Sequence, residues 1–389
     1  MLLSKVLIAP ASLLFFFWLA LAFVNGMRRG GDFYYALDVS DPNNPSVMFR
    51  LDGSELPGLG QSWATPIPTH INVGGATQNS NKLVLVIAGG YEPDQDNNAL
   101  STDTLGNAIY IVDAVDGHLL WYAGNQSSAT KRFNTSGRSM DYSFPAHVRV
   151  ADFDGDGYAD RLYAADIGGQ IWRFDVYNGQ PASSLITGGV IAQLGGAPAA
   201  NPPLTDVRRF YYAPDIAVVN TRTENFIHIG IGSGHREHPL STSNNDRFYA
   251  LRDYNVGPLT QAQYDALTIT TDSRLVPVTT VNTTVPHGSP GWRLDLNIGG
   301  KVVKTAVKAA RDGLFYVWDR QTGELVRDVW MHTYQDVVKK GADGFYVNRQ
   351  TGRPNYRIEQ ALFTNVEDRR KYTNADPFGA TKPAGYTGT

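Results

Sequence analysis

Four aspartates, Asp152, Asp154, Asp156 and Asp160, recur at alternate or near-alternate places around two glycines in the run Asp152-Phe153-Asp154-Gly155-Asp156-Gly157-Tyr158-Ala159-Asp160. Carboxylates spaced this way on a tight turn can wrap oxygen ligands around a hard cation, and Ca2+ suits an all-oxygen set. Their mutual repulsion is relieved most simply by a bound dication. Asp152, Asp154 and Asp156 take the first, third and fifth places of a D-x-D-x-D-G pattern, with Gly157 supplying the sharp turn at the sixth. The Tyr158 carbonyl would serve the seventh place and Asp160 the ninth. An EF-hand carries a bidentate Glu at the twelfth place, but here that residue is Tyr163, inside the strand-like run Arg161-Leu162-Tyr163-Ala164-Ala165. The spacing predicts a strand-loop-strand calcium site with Asp160 closing the shell. A solvated Asp/Gly turn joining two strands is the plainer alternative, because both residues favour turns.

The strands that would carry this loop belong to a loose internal repeat. Each copy is a short apolar strand with a central Tyr, most ending in an acidic residue and a turn. The copies are Tyr34-Tyr35-Ala36-Leu37-Asp38, Ile109-Tyr110-Ile111-Val112-Asp113, Leu162-Tyr163-Ala164-Ala165-Asp166, Phe248-Tyr249-Ala250-Leu251-Arg252 and Phe315-Tyr316-Val317-Trp318-Asp319. Several run through a Gly turn into a second strand, as in Asp166-Ile167-Gly168-Gly169-Gln170-Ile171-Trp172, which is hairpin grammar. Five such strands predict five similar sheets. Radial four-stranded blades use repeats of this kind, since closure hides sheet edges. The wide spacing of the tyrosines calls for insertions, with residues 125–143 and 188–205 the candidates. The expected fold is all-β, a modified β-propeller, with a β-sandwich as the competing arrangement.

Composition agrees with a large globular core: 389 residues, 42% hydrophobic, 18% charged, with Gly 39 and Pro 21. A net charge of -3 gives no reason to expect nucleic acid as partner, and no G-x-x-x-x-G-K-[ST] phosphate cradle occurs. Zero Cys excludes disulfides, thiolate zinc sites and a cysteine nucleophile. At the start, Lys5 precedes the apolar run Val6 to Val24, and Ala20-Leu21-Ala22 offers a small-x-small cleavage site. Residues 1–24 are expected to be a secretory signal, or a membrane anchor followed by Arg28 and Arg29, the one part of the chain to contact a membrane. Residues 25–351 would form the propeller domain and 352–389, rich in Asn, Thr, Pro and Gly, an irregular tail.

Several motifs together resemble a known family. They are Gly26-Met27-Arg28-Arg29-Gly30-Gly31, Gly60-Gln61-Ser62-Trp63-Ala64-Thr65-Pro66, Gly89-Gly90-Tyr91, the aspartate loop with Ile171-Trp172-Arg173-Phe174-Asp175, and Gly232-Ser233-Gly234-His235-Arg236-Glu237-His238-Pro239-Leu240. In this order, over about 25–297, they look like the C-terminal domain of the PilY family of type IV pilus biogenesis and tip adhesin proteins. The resemblance implies a modified propeller at the pilus tip, outer membrane or cell surface. It also implies partners among the minor pilins or a host or abiotic surface, and Ca2+ occupancy coupled to pilus assembly, retraction and adhesion. Asp152, Asp154, Asp156 and Asp160 match that family's calcium loop. The chain departs from the family in placing the arginine-glycine motif just after the apolar leader, which implies an incomplete propeller. From about Lys301 it is similar instead to a blade of pyrroloquinoline quinone dehydrogenases, through Gly313-Leu314-Phe315-Tyr316-Val317-Trp318-Asp319-Arg320-Gln321-Thr322-Gly323-Glu324-Leu325.

A quinone-dependent alcohol or sugar oxidation is therefore the enzymatic alternative, but a single blade supports it, and an Asp-rich loop is a structural type of calcium site. The expectation is a scaffold with no catalytic residues. His235 and His238, flanking Arg236 and Glu237, could form a metal or acid-base pair, though a surface loop held by hydrogen bonds accounts for them. Glu92, Asp94 and Asp96 could form a second cation site but lack a glycine turn and read as an acidic loop. Trp63, Trp121 and Trp172 read as packing aromatics.

Overall fold

The computed structural model describes residues 12–16 and 21–295, apart from 98, 135–137, 197–201, 221, 239–240, 242 and 279–287, together with the backbone strands of 297–348. The chain divides into two compact units, Met1–Asp295 and Leu296–Thr389. The domain expected over 25–351 is thus split at Asp295, close to where the family resemblance ends, and the expected tail at 352–389 lies outside the described residues.

In the first unit the chain builds sheet after sheet in sequence order. β1 (Ser12–Phe16), β2 (Leu21–Gly26), β3 (Tyr34–Asp38) and β4 (Ser46–Leu51) form one antiparallel meander. β5 (Ile67–His70), β6 (Leu83–Ala88), β7 (Ala108–Asp113) and β8 (Leu119–Gly124) form a second. β9 (Arg149–Ala151), β10 (Arg161–Ala165), β11 (Gln170–Val176) and β12 (Ile186–Gln193) form a third. β13 (Asp215–Asn220), β14 (Asn225–Gly232) and β15 (Arg247–Asp253) begin a fourth sheet, after which comes the one α-helix among the described residues, α1 (Gln261–Asp265). Thr260 caps that helix in a capping box with Gln263. β16 (Thr270–Thr271) then runs parallel to β12, and β17 (Val276–Val278) and β18 (Gly291–Asp295) complete the fourth sheet. In the second unit β19 (Asn297–Ile298) pairs with β20 (Lys301–Val302). β21 (Thr305–Ala309), β22 (Leu314–Asp319) and β23 (Leu325–Trp330) form a three-stranded meander, and β24 (Val338–Lys340) pairs with β25 (Tyr346–Asn348).

The five tyrosine-centred repeats fall on β3, β7, β10, β15 and β22, each in a different sheet, as their similarity predicts. In β3, β7 and β22 the pairing slips at the same repeat position, between Ala36 and Leu37, Ile111 and Val112, and Val317 and Trp318. The acid that closes the strand makes the turn: Asp38 Oδ1 accepts from Ser40 N at 2.9 Å, Asp113 Oδ1 from Val115 N at 2.8 Å and Asp166 Oδ1 from Gln170 N at 2.9 Å.

Apolar residues alternate along each central strand and so reach two different cores. Ile109 and Ile111 of β7 join Trp121, Leu162, Trp172 and Phe174, between the second and third sheets. Their neighbours Ala108, Tyr110 and Val112 face the other way, towards Tyr34, Ala36 and Leu51 of the first sheet. Tyr163 and Ile171 in turn meet Ile229, Tyr249 and Leu251 of the fourth.

One sequence expectation changes here, that for the insertion at residue 188. The apolar run expected as a leader or anchor contributes β1 and β2, with Ala22–Gly26 paired along β3. A continuous apolar run does not by its periodicity separate a helix from a doubly covered strand. No helix among the described residues is long and apolar enough to cross a membrane. The insertion expected from Gly188 starts instead after Gln193, because residues 188–193 are strand, with the Phe174 ring occupying the place where a side chain at 188 would sit.

Asp166, buried at the turn between β10 and β11, accepts from Trp172 Nε1 at 2.8 Å, yet burial pushes its carboxyl up to about 8. A carboxyl raised in the folded state keeps its proton there. Its contribution to stability therefore falls as pH rises from the unfolded value of about 4 and is lost above the folded one. Urea unfolding is expected to show the stability of the wild type relative to Asp166→Asn declining from about pH 4 to about pH 8; a difference independent of pH would contradict the burial effect.

Candidate metal centre

The aspartate loop connects β9 to β10, so the strand-loop-strand placement read from the spacing is the observed one. Gly155 and Gly157 sit at φ +79° and +89°, in the left-handed region that bends the chain back on itself. This turn carries Asp152, Asp154 and Asp156 to one side, where a carboxylate oxygen from each lies within 4.8 Å of the others, all three exposed. Two oxygens on one Ca2+, each at 2.3–2.6 Å, can be at most about 5 Å apart, so the separation and the all-oxygen donor set fit that ion.

The same carboxylates also hold the loop. Asp152 accepts from Gly155 N at 2.7 Å and Gly157 N at 2.9 Å, Asp154 from Asp156 N at 3.0 Å and Asp156 from Tyr158 N at 2.8 Å. Asp160, expected to close the shell, stands outside the three-carboxylate group, and its Oδ2 accepts from Phe153 N at 2.6 Å and Asp154 N at 3.3 Å. It fastens the start of the loop to its end. Tyr158 lies beside His70 of β5, bridged to it and with the rings 5.9 Å apart. Ala159 N donates to the His70 carbonyl at 2.9 Å and Asp160 N to that of Ala151 at 2.9 Å, so the base of the loop is pinned to two sheets.

Immediately after the loop lies a buried charge network. Arg161 has its guanidinium 4.9 Å from the Phe153 ring centre and donates from Nε to Asp175 Oδ1 at 2.5 Å. Asp175, fully buried, also receives Arg173 Nη2 at 3.0 Å, Leu259 N at 2.8 Å and the Tyr264 hydroxyl at 2.7 Å. Arg173 reaches on to Asp253 at 2.8 Å and the Asn255 carbonyl. The loop is thereby joined, through Phe153 and Arg161, to the segment between β15 and α1. Sequence reading singled out Arg173 and Asp175 for their family likeness alone. The signal for their structural role was present as two charged residues on one face of β11, among Ile171, Trp172, Phe174 and Val176.

The other candidate groups separate. Glu92 accepts from Thr104 N at 2.6 Å and Thr104 Oγ1 at 2.8 Å, whereas Asp96 pairs with Arg29. The acidic loop is hydrogen-bonded structure, as read. The His235 and His238 rings meet at 4.7 Å; His235 is buried and held low, to about 4, first by burial and then by Arg209. Trp121 and Trp172 are core, whereas Trp63 is half-buried.

Antiparallel meanders of repeated design, packed in sequence order face against face, make this an all-β chain of the propeller class. Among solved structures the chain is similar to the C-terminal domain of PilY1 from Pseudomonas aeruginosa, with 19% identity, a TM-score of 0.54, and coverage of 81% of this chain and 70% of that one. Among curated proteins it is 29% identical over 157 residues to the type IV pilus biogenesis factor PilY1 of Pseudomonas aeruginosa strain PAO1, covering 40% of this chain. It is 23% identical over 334 residues, 85% of this chain, to a PilY1 homologue of Xylella fastidiosa. These matches bear out the resemblance to PilY proteins read from the sequence. They span 11% and 24% of those relatives' own lengths. No protein-family model matches the chain.

Breaking a buried ion pair costs about 3–5 kcal/mol because a charge is left without its partner. Asp175→Ala is expected to lose that much in urea unfolding, and a loss below about 1 kcal/mol would show that the network contributes little.

Proposed function

We propose that this chain is the propeller part of a type IV pilus biogenesis factor, that its 152–160 loop binds Ca2+, and that occupancy governs the surface offered to pilus components. The observation that carries this reading is the convergence of the Asp152, Asp154 and Asp156 carboxylates within 4.8 Å on a loop that continues directly into Arg161. Likeness to PilY1 in sequence and in fold supports the pilus role.

Bound Ca2+ supplies positive charge that offsets the repulsion of the three carboxylates. Asp152, Asp154 and Asp156 hold it, with the Tyr158 carbonyl and Asp160 proposed to complete the oxygen set. Without the ion, repulsion works against the loop's own hydrogen bonds and against the seat of Phe153 on Arg161. Ordering of the loop would reach the β15 to α1 segment through the Asp175 network. The role is that of an adhesive and assembly scaffold, not an enzyme. It places the chain outside the cytoplasm, at the periplasm, outer membrane or pilus tip, in contact with minor pilins or an external surface.

Calorimetry is expected to show Ca2+ binding that Asp152→Ala and Asp156→Ala each weaken by at least about tenfold. Ca2+ at about 100 times its Kd should stabilise the fold by about 2.7 kcal/mol, reversibly with chelator. Unaltered affinity in both variants would overturn the ligand assignment.

A further inference from the structure

Away from the aspartate loop, chain segments from three sheets bring arginines and aromatic rings together. Arg29, just before β3, forms a two-pronged pair with Asp96, Nη1 to Oδ2 at 2.9 Å and Nη2 to Oδ1 at 2.8 Å. Its guanidinium lies 5.3 Å from the centre of the Trp63 ring and 5.7 Å from that of Tyr91. Trp63 is fixed in turn, stacked on Tyr91 at 4.5 Å and donating from Nε1 to Gln61 at 3.0 Å. Hydrogen bonding to Arg29 holds the Asp96 carboxyl below its ordinary range, so that this pair stays charged.

Arg236, on the loop after β14, completes the cluster. Its guanidinium lies 5.2 Å from the Trp63 ring centre and 6.0 Å from that of Tyr212. It differs from Arg29 in one decisive respect: it is exposed and makes no ion pair or hydrogen bond with the described residues. Tyr212 is 67% exposed, the most exposed of the large hydrophobic side chains described. The neighbouring His235 is buried, its Nε2 4.0 Å from Glu237 Oε2.

We propose that Arg236, Tyr212 and Trp63 form a docking face for a carboxylate-bearing segment of a partner polypeptide. The planar guanidinium fork matches a carboxylate with two parallel hydrogen bonds, and the adjoining rings cover an apolar neighbour of that carboxylate. Trp, Tyr and Arg are the side chains that dominate interface energies, and here they are preorganised by contacts within the protein. A single cation without an ion-pair partner among the described residues suits one carboxylate; a nucleic acid would call for a row of cations along its phosphates, and this chain has a net charge of -3. The proposal shares no residue with the aspartate loop and stands independently of calcium.

The test uses the full chain and fluorescence anisotropy with a short labelled peptide of alternating Glu and Leu, beside its Gln/Leu counterpart. Saturable binding of the Glu peptide alone is expected, weakened about thirtyfold by Arg236→Gln and in the same direction by Tyr212→Ser. Arg236→Lys should recover only part of it, lacking the fork. Both positions are exposed, so the unfolding midpoint should stay in place. Absence of saturable binding, equal binding of the two peptides, or undiminished binding by both variants would overturn the proposal. So would displacement of the peptide by heparin or an oligonucleotide whose own binding shows the same dependence on Arg236, which would mark a general polyanion site.

Discussion

Apolar contact on both faces of a single sheet is the constraint from which the rest of the first unit follows. β7 is buried along its whole length, sending Ile109 and Ile111 one way and Tyr110 and Val112 the other. Sheets covered on both sides leave little room for polar chemistry on their surfaces. Groups able to meet solvent or a ligand are displaced to strand ends and connections. The aspartate loop and the Arg236 cluster both lie at such ends.

Where charge does enter the interior it is matched atom by atom. Asp175 has both carboxylate oxygens filled, by arginine, a backbone N–H and a phenol. A buried pair of this kind adds little net stability compared with an apolar substitute, but it tolerates the loss of neither partner. It fixes how the end of β11 meets the segment before α1. The aspartate loop rests on that junction through Arg161 and Phe153, so a change of charge in the loop has a rigid element to act upon.

The two candidate surfaces use opposite electrostatic designs. In the aspartate loop three exposed carboxylates of like charge converge within 4.8 Å. At the arginine cluster Arg29 is matched by Asp96, while Arg236 makes no ion pair with the described residues.

Much was legible in the chain itself. Tyrosine-centred strands ending in an acid announced separate small sheets, because period-2 apolar alternation and turn acids are local signals that act within a few residues. The convergence of Asp152, Asp154 and Asp156 was readable for the same reason, since the three are close in sequence. Tertiary structure decided the rest. Asp160 came to tie the loop's own backbone. Arg29 came to face Glu237 across 208 positions of chain. Contacts between residues so distant depend on which faces the sheets bury together, and no short-range pattern encodes that choice.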